Sequence, residues 1–367
     1  MFDSFFGNAP VVASLRSMLA EQRLPQTLLF SGPRGVGKAT LARLLAAALN
    51  CAARSADPCG RCSHCRRILE ADLALPHFQK LFEERARLTL DKRRDNPLVV
   101  STHPEFLCFP PDGPLPQVSI EQARRLKEHA QFGPSDGRAR IFLVDGADQM
   151  DLPAANSLLK ILEEPPPSLT VILTAENAYE LLPTIRSRCV PFWFASLSDQ
   201  EMQQFVAGHS RLAGADQARL LAWAQGSPGQ ALAIDVPAHL KRRQAMLALL
   251  RVAAGSGNFA GLIAHTEAIG RNKQEKLELL LEALYELLSD LLRLRVNPAG
   301  GPLVHEDLRS ELARLAAGID LEWLDQVWAQ AEELHSLARR NIQKQIALEA
   351  LAVSLASGRA APGRLSG

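Results

Sequence analysis

An open α/β domain followed by helices alone is the fold class that this 367-residue sequence predicts. Short apolar runs alternate with amphipathic stretches through roughly the first 195 residues, a span suited to one layered domain. Strand-like runs cease after Ser196, and the rest is rich in Leu and Ala at the spacing of packed helices. Lys and Arg total 41 against 40 Asp and Glu, a net charge of +1. That balance excludes a generally basic nucleic-acid coat, so any DNA contact must be local or shared with partners. No run approaches the roughly 20 apolar residues of a membrane helix, which predicts no membrane partner. Met1-Phe2-Asp3-Ser4 lacks the basic-then-apolar order of a signal peptide, so a cytoplasmic address is expected.

Each element has its own signal. Residues 27–30, 106–109, 141–144, 171–174 and 190–194 each fit a buried strand. The middle three are almost continuously apolar, as in a parallel sheet covered on both faces, and the expectation is five such strands. Ser119 with Gln122 is a capping-box pair ahead of Ile120, Ala123, Leu126 and Ala130 at helical spacing. Asp151 and Pro153 open a second helix carrying Leu158, Leu159, Ile161 and Leu162. Pro165-Pro166-Pro167 must end it, because proline has no amide hydrogen to donate. The charged stretch at about 71–101 predicts a solvated helical insertion. Beyond Ser196, helices are expected at 198–206 and 214–223, then from about 238 onward, notably at 273–295 and 321–337, with a break at 297–302. A Gly-, Ala-, Arg- and Pro-rich tail at 358–367 predicts disorder.

Gly32-Pro33-Arg34-Gly35-Val36-Gly37-Lys38 follows the first strand and precedes a helix, the setting of a phosphate-binding loop. Gly32, Gly35 and Gly37 let amides converge on a phosphate, the helix N-terminus adds partial positive charge, and Lys38 a full one. The next residue should carry a hydroxyl for Mg²⁺ but is Ala39, and Thr40 points about 100° away on a helix. The anion cradle is kept and the metal seat is damaged, which leaves ATP and Mg²⁺ binding in this pocket open. The strand at 141–144 runs into Asp145-Gly146-Ala147-Asp148. Asp145 fills the metal-side position, while Gly146 stands where a carboxylate should polarise water. Both losses fall in one site, which reads as a retired ATPase.

Cys51, Cys59, Cys62 and Cys65 follow a C-x7-C-x2-C-x2-C spacing. Two-residue gaps turn two thiolates toward one ion, and four satisfy tetrahedral Zn²⁺ with no open position, so the expected role is structural. Gly60 and Ser63 favour the tight turns, and His64 is left outside the ligand set. Cys108 and Cys189, on or beside strands, read as small core residues.

These motifs together resemble one family. The Cys-rich insert after the first helix, Asn156-Ser157-Leu158-Leu159-Lys160-Ile161-Leu162-Glu163-Glu164-Pro165-Pro166, and Thr184-Ile185-Arg186-Ser187-Arg188-Cys189 are similar to bacterial clamp-loader subunits of the AAA+ class, within the DNA polymerase III holoenzyme. The resemblance covers roughly residues 1–235. It implies an AAA+ P-loop domain at 1–196 with a zinc module at about 50–66, a small helical lid at 197–237 and an all-helical collar at 238–357. Ala39, Gly146 and Gly229 depart from the ATP-hydrolysing gamma/tau pattern, Gly229 standing where motors carry a nucleotide-sensing arginine. The resemblance therefore points to the non-hydrolysing delta-prime branch. It implies partnership with gamma/tau and delta subunits, and with the sliding clamp and primer-template DNA through the assembled complex. It implies that Arg188 reaches the ATP of a neighbouring subunit as an arginine finger, with Arg186 as the rival, and that Thr174 occupies the first sensor position. The alternative is an active motor in which Thr40 or a water replaces the missing hydroxyl.

Overall fold

The computed structural model describes residues 1–113, 116–209, 215–272, 275–298, 300–338 and 342–359. The chain divides into two compact units, Met1–His209 with Gly226–Leu232, and Ser210–Gln225 with Ala233–Gly367.

The first unit is built in the order α1 (Ala9–Ala20), β1 (Thr27–Ser31), α2 (Lys38–Asn50), α3 (Ser63–Leu69), α4 (Pro76–Ala86), α5 (Leu90–Asp95), β2 (Val100–His103), β3 (Phe106–Phe109), α6 (Ile120–Ala130), β4 (Arg140–Val144), α7 (Leu152–Glu163), β5 (Leu169–Ala175), the short α8 (Pro183–Arg186), β6 (Val190–Trp193) and α9 (Asp199–His209). Its six strands lie in the order β2-β3-β4-β5-β1-β6. The five expected strands form the parallel part, with Leu29 opposite Leu173, Phe142 opposite Val171 and Phe30 opposite Phe192. The expectation of a wholly parallel, five-stranded sheet is corrected by β2, which runs antiparallel to β3. Val-Ser-Thr-His is too short and too polar to announce itself. Its hairpin turn, His103 to Phe106, pairs it by proximity.

Alternation along each strand explains the apolar runs. Leu28, Phe30, Phe106, Cys108, Ile141 and Leu143 pack with Leu41 and Leu45 of α2 on one face. Leu29, Leu107, Phe109, Phe142, Val144 and Leu173 pack with Leu126 of α6 and Leu158 and Leu162 of α7 on the other. Both faces are covered, so the strands are mainly apolar and a buried polar residue such as Thr27 or Thr174 is hydrogen-bonded. The edge strand β6 departs from the buried reading, because Val190, Pro191 and Trp193 are exposed.

Capping follows the expected residues. Ser119 and Gln122 complete a reciprocal box at α6, and Asp151 accepts from Ala154 N at 2.7 Å at α7. The insertion is helical, as α4 and α5. It is not wholly solvated, since Arg85 is buried and grips Asp112 through Nε at 2.9 Å and Nη2 at 2.6 Å.

The second stretch of chain carries α10 (Ala215–Ala224), α11 (Pro228–Ala233), α12 (Val236–Ala253), α13 (Phe259–Arg271), α14 (Leu277–Val296), α15 (Arg309–Ala317), α16 (Leu321–Ala338) and α17 (Lys344–Arg359). In the second unit, α14 supplies the central seam, Leu280, Leu284, Leu287 and Leu291, all fully buried. The buried Asp290 carboxylate is satisfied by the amides of Val304 and His305, both at 2.8 Å. Trp223 ties α10 into this unit, donating from Nε1 to His305 Nδ1 at 3.1 Å. α17 runs two residues into the stretch expected as a tail, and residues 360–367 lie outside the described residues, as do Gly214 and Lys273. Among the described residues, no helix is long and apolar enough to cross a membrane.

Candidate functional site

β1 delivers the chain into the loop and α2 leads it away, so the phosphate-loop residues sit at the C-terminal end of the parallel strands. This is the crevice where open α/β sheets hold ligands. Gly37 caps α2 at φ +99°, and Gly35 lies at φ +75°, a region that side chains rarely adopt. Lys38 is only 9% exposed. Its Nζ donates to the loop's own carbonyls, Gly32 O at 2.5 Å and Pro33 O at 2.8 Å. Burial pulls its pKa below the ordinary 10.5, against the opposing charges of Glu176, Asp145 and Asp148.

The loop is gripped from outside as well. Ser227 Oγ donates to Arg34 O at 2.8 Å, and Gly229 N donates to Gly35 O at 2.8 Å. A Cβ at Gly229 would stand 2.9 Å from both Gly35 Cα and Gly35 O. Glycine at 229 is therefore required by a backbone-to-backbone approach, and no sensing side chain fits there without moving the loop. Thr40 is exposed and its Oγ1 accepts from Arg43 at 3.3 Å, so it is not brought to the cradle.

At the end of β4, Thr174 Oγ1 donates to Asp145 Oδ1 at 2.6 Å and accepts from Gly146 N at 2.9 Å. The carboxylate and the Thr174 hydroxyl thus satisfy each other in a strand-end turn. Asp148 Oδ2 accepts from Glu176 N at 2.7 Å. Gly146 is left-handed at φ +69°, and a Cβ there would meet Pro111 Cγ at 3.0 Å. Besides lacking a carboxylate, the position is strained for any side chain. Pro111 precedes Asp112, the residue held by Arg85, so the insertion braces the loop beside Gly146.

The four cysteines gather at the far end of α2. Cys51 caps that helix, Cys62 caps α3 and Cys65 lies in its first turn. Their sulfurs all lie within 4.8 Å of one another and form no disulfides. Amides of Cys59, Cys62 and Cys65 donate to the sulfurs of Cys51, Cys59 and Cys62 at 3.3 to 3.4 Å. Such donors favour thiolates. Those from Arg61 and Cys62 pull the Cys59 thiol down to about 6. Four convergent sulfurs, three of them supported by amides, fit a closed tetrahedral Zn²⁺ site. Sequence reading missed what pins this module: the Met1 ammonium and Arg16 both reach Asp57, at 2.8 and 3.0 Å, and His64 Nδ1 lies 2.8 Å from His103 Nε2. No local pattern signals partners so distant in sequence. Cys108 and Cys189 are buried in the sheet domain, where burial pushes the Cys189 thiol up to about 12.

At the opposite end of β1, Arg188 is 30% exposed along its side chain. Its Nε and Nη2 donate to Glu163 Oε2 at 3.4 and 3.2 Å, and its Nη1 donates to Thr184 O at 2.9 Å. Arg186 instead lies over the Tyr179 ring, 5.0 Å from its centre. The structure therefore separates three groups: the loop with Asp145 and Thr174, the cysteine knuckle, and Arg188 at the other end of the strands.

An α/β sheet with a phosphate-type loop at its strand ends and a cysteine knuckle on its first long helix defines a modified nucleotide-binding class. The family described as "DNA polymerase III, delta subunit" matches residues 7–198, and the chain belongs to it. It is 30% identical over 207 residues to DNA polymerase III subunit tau/gamma of Haemophilus influenzae, covering 56% of this chain and 25% of that one. It is 32% identical over 207 residues to subunit gamma/tau of Mycobacterium bovis, covering 56% and 30%. The aligned region thus spans about a quarter to a third of these relatives' length. A gamma subunit-related protein from Thermotoga maritima aligns over 94% of this chain and 98% of its own, at 12% identity and a TM-score of 0.43.

Proposed function

We propose that this chain is a non-hydrolysing, delta-prime-type subunit of the DNA polymerase III clamp loader. It joins gamma/tau motor subunits and a delta subunit in an AAA+ ring that opens the sliding clamp and places it on primer-template DNA. Residues 1–196 serve as the AAA+ domain, 197–237 as lid and 238–357 as the collar, and the knuckle holds one structural Zn²⁺. The assembly works in the cytoplasm. Arg188 acts on the ATP of the adjacent motor subunit, where a fixed guanidinium offsets charge developing on the transferred phosphoryl group.

One observation carries the reading. The loop's carbonyls are engaged by Lys38, Ser227 and Gly229, while Asp145 is tied to Thr174 beside a left-handed Gly146. A pocket arranged this way has no positioned base, and loss of a base alone costs about 10²–10⁴ in rate. Membership of the family and likeness to gamma/tau subunits support the assembly partners. The test is reconstitution with gamma/tau and delta subunits of the same organism. Clamp loading that depends on this chain, with no ATP turnover by the chain alone, is expected. Steady turnover by the solitary chain, lost in Lys38→Ala, would instead assign it as a motor.

A further inference from the structure

We propose that Glu163 is a positioning residue for Arg188, splinting the guanidinium so that a two-pronged N–H fork faces outward. This rests on the reading of Arg188 as a finger acting in trans.

The backbone of Arg188 is fixed before its side chain is considered. Thr27 Oγ1 of β1 donates to Arg188 O at 2.6 Å, and Arg188 N donates to Ile185 O at 3.1 Å. Glu163 is the last residue of α7, whose Leu158, Ile161 and Leu162 are buried, with Glu164 as the C-cap and Pro165 next. The carboxylate is thus presented from a rigid helix end, where the C-terminal dipole also favours a cation.

A guanidinium has five N–H donors in one plane. Glu163 Oε2 accepts from Nε and Nη2, which is its side edge, and Thr184 O accepts from Nη1. Three donors are used. The remaining two, one on each Nη, are left to donate to oxygens such as those of a phosphate. Arg188 and Glu163 line an open depression of about 560 Å³ with Gln26, Thr27 and Pro165, space that an incoming phosphoryl group can enter. Glu163 is 58% exposed, and exposed ion pairs add little to stability, so its work lies in orientation.

The test uses the clamp loader reconstituted from this chain with gamma/tau and delta subunits of the same organism. The motor subunits carry Ala at their own finger arginines, so that only the site served by Arg188 turns over quickly. Glu163→Ala is expected to lower kcat for DNA-stimulated ATP hydrolysis about three- to tenfold with KM for ATP unchanged, as for lost orientation of one catalytic group. Glu163→Gln, isosteric and still an acceptor, should retain more of the rate. Glu163→Ala combined with Arg188→Ala should be no slower than Arg188→Ala alone. A wild-type or faster rate for Glu163→Ala, or additive losses in the double variant, overturns the splint while leaving the finger intact. An unchanged rate in Arg188→Ala removes the finger and the splint with it.

Discussion

The phosphate loop and the Arg188 corner occupy opposite ends of the same strand, and they spend their polar groups in opposite directions. At the loop, Lys38 turns back onto Gly32 O and Pro33 O, and Gly229 closes against Gly35 through backbone alone. At the corner, Arg188 uses three donors within the chain and keeps two for something else. An inward-facing polar group stabilises the fold and is costly to remove. An outward-facing one adds little to stability and is free to act on a partner. The comparison teaches that polar groups left over for a partner are found at the Arg188 end of the strand, where the proposed finger lies.

The sharpest way to break the contrast is Arg188→Ala. In the reconstituted complex it should slow hydrolysis at the adjoining site by about 10³-fold or more while leaving assembly and folding intact. A single-turnover rate for that site, with gel filtration of the complex, reads both halves. Next in size is loss of the metal. Elemental analysis should find one Zn²⁺ per chain, and chelation or Cys59→Ser should lower the melting temperature by several degrees through the far end of α2. A fully folded metal-free protein would remove the knuckle from the account.

Two variants probe the inward-facing end. Gly229→Arg should cost about 1–3 kcal/mol of stability because its Cβ overlaps Gly35, and should confer no turnover. Lys38→Met should cost about 1–3 kcal/mol by leaving two loop carbonyls without a donor, measured by denaturant unfolding, and should leave clamp loading unchanged. A pH series sharpens this point. Burial lowers the folded pKa of Lys38 below 10.5, so the folded state binds fewer protons than the unfolded chain between those values. Stability should therefore rise as pH climbs through the folded pKa toward 10.5, and Lys38→Met should flatten that rise.

Much of this was legible in the residues. The capping pairs at Ser119 and Asp151 and the proline stop after α7 act within a few residues, so local chemistry suffices to read them. The four cysteines declared themselves by spacing, and their sulfurs converge. The missed features are the long-range ones. β2 is a strand only because β3 lies beside it, and Arg85 looks like one more surface charge until Asp112, 27 residues on, is brought to it. Trp193, apolar by type, is 56% exposed because β6 is the sheet's edge, which no pattern of four residues reveals.

Sequence alone determined the five parallel strands and the capped helices, the absence of a carboxylate at Gly146 and of a hydroxyl at Ala39, and the ligand-type cysteines, because these depend on which atoms exist and on spacings of a few residues. Only the tertiary structure decided that Gly229 lies against Gly35, that Thr174 takes up Asp145, and that Glu163 holds one edge of Arg188. Such pairings join elements far apart in the chain. They are set by how sheet and helices pack, and no local run of residues encodes that distance.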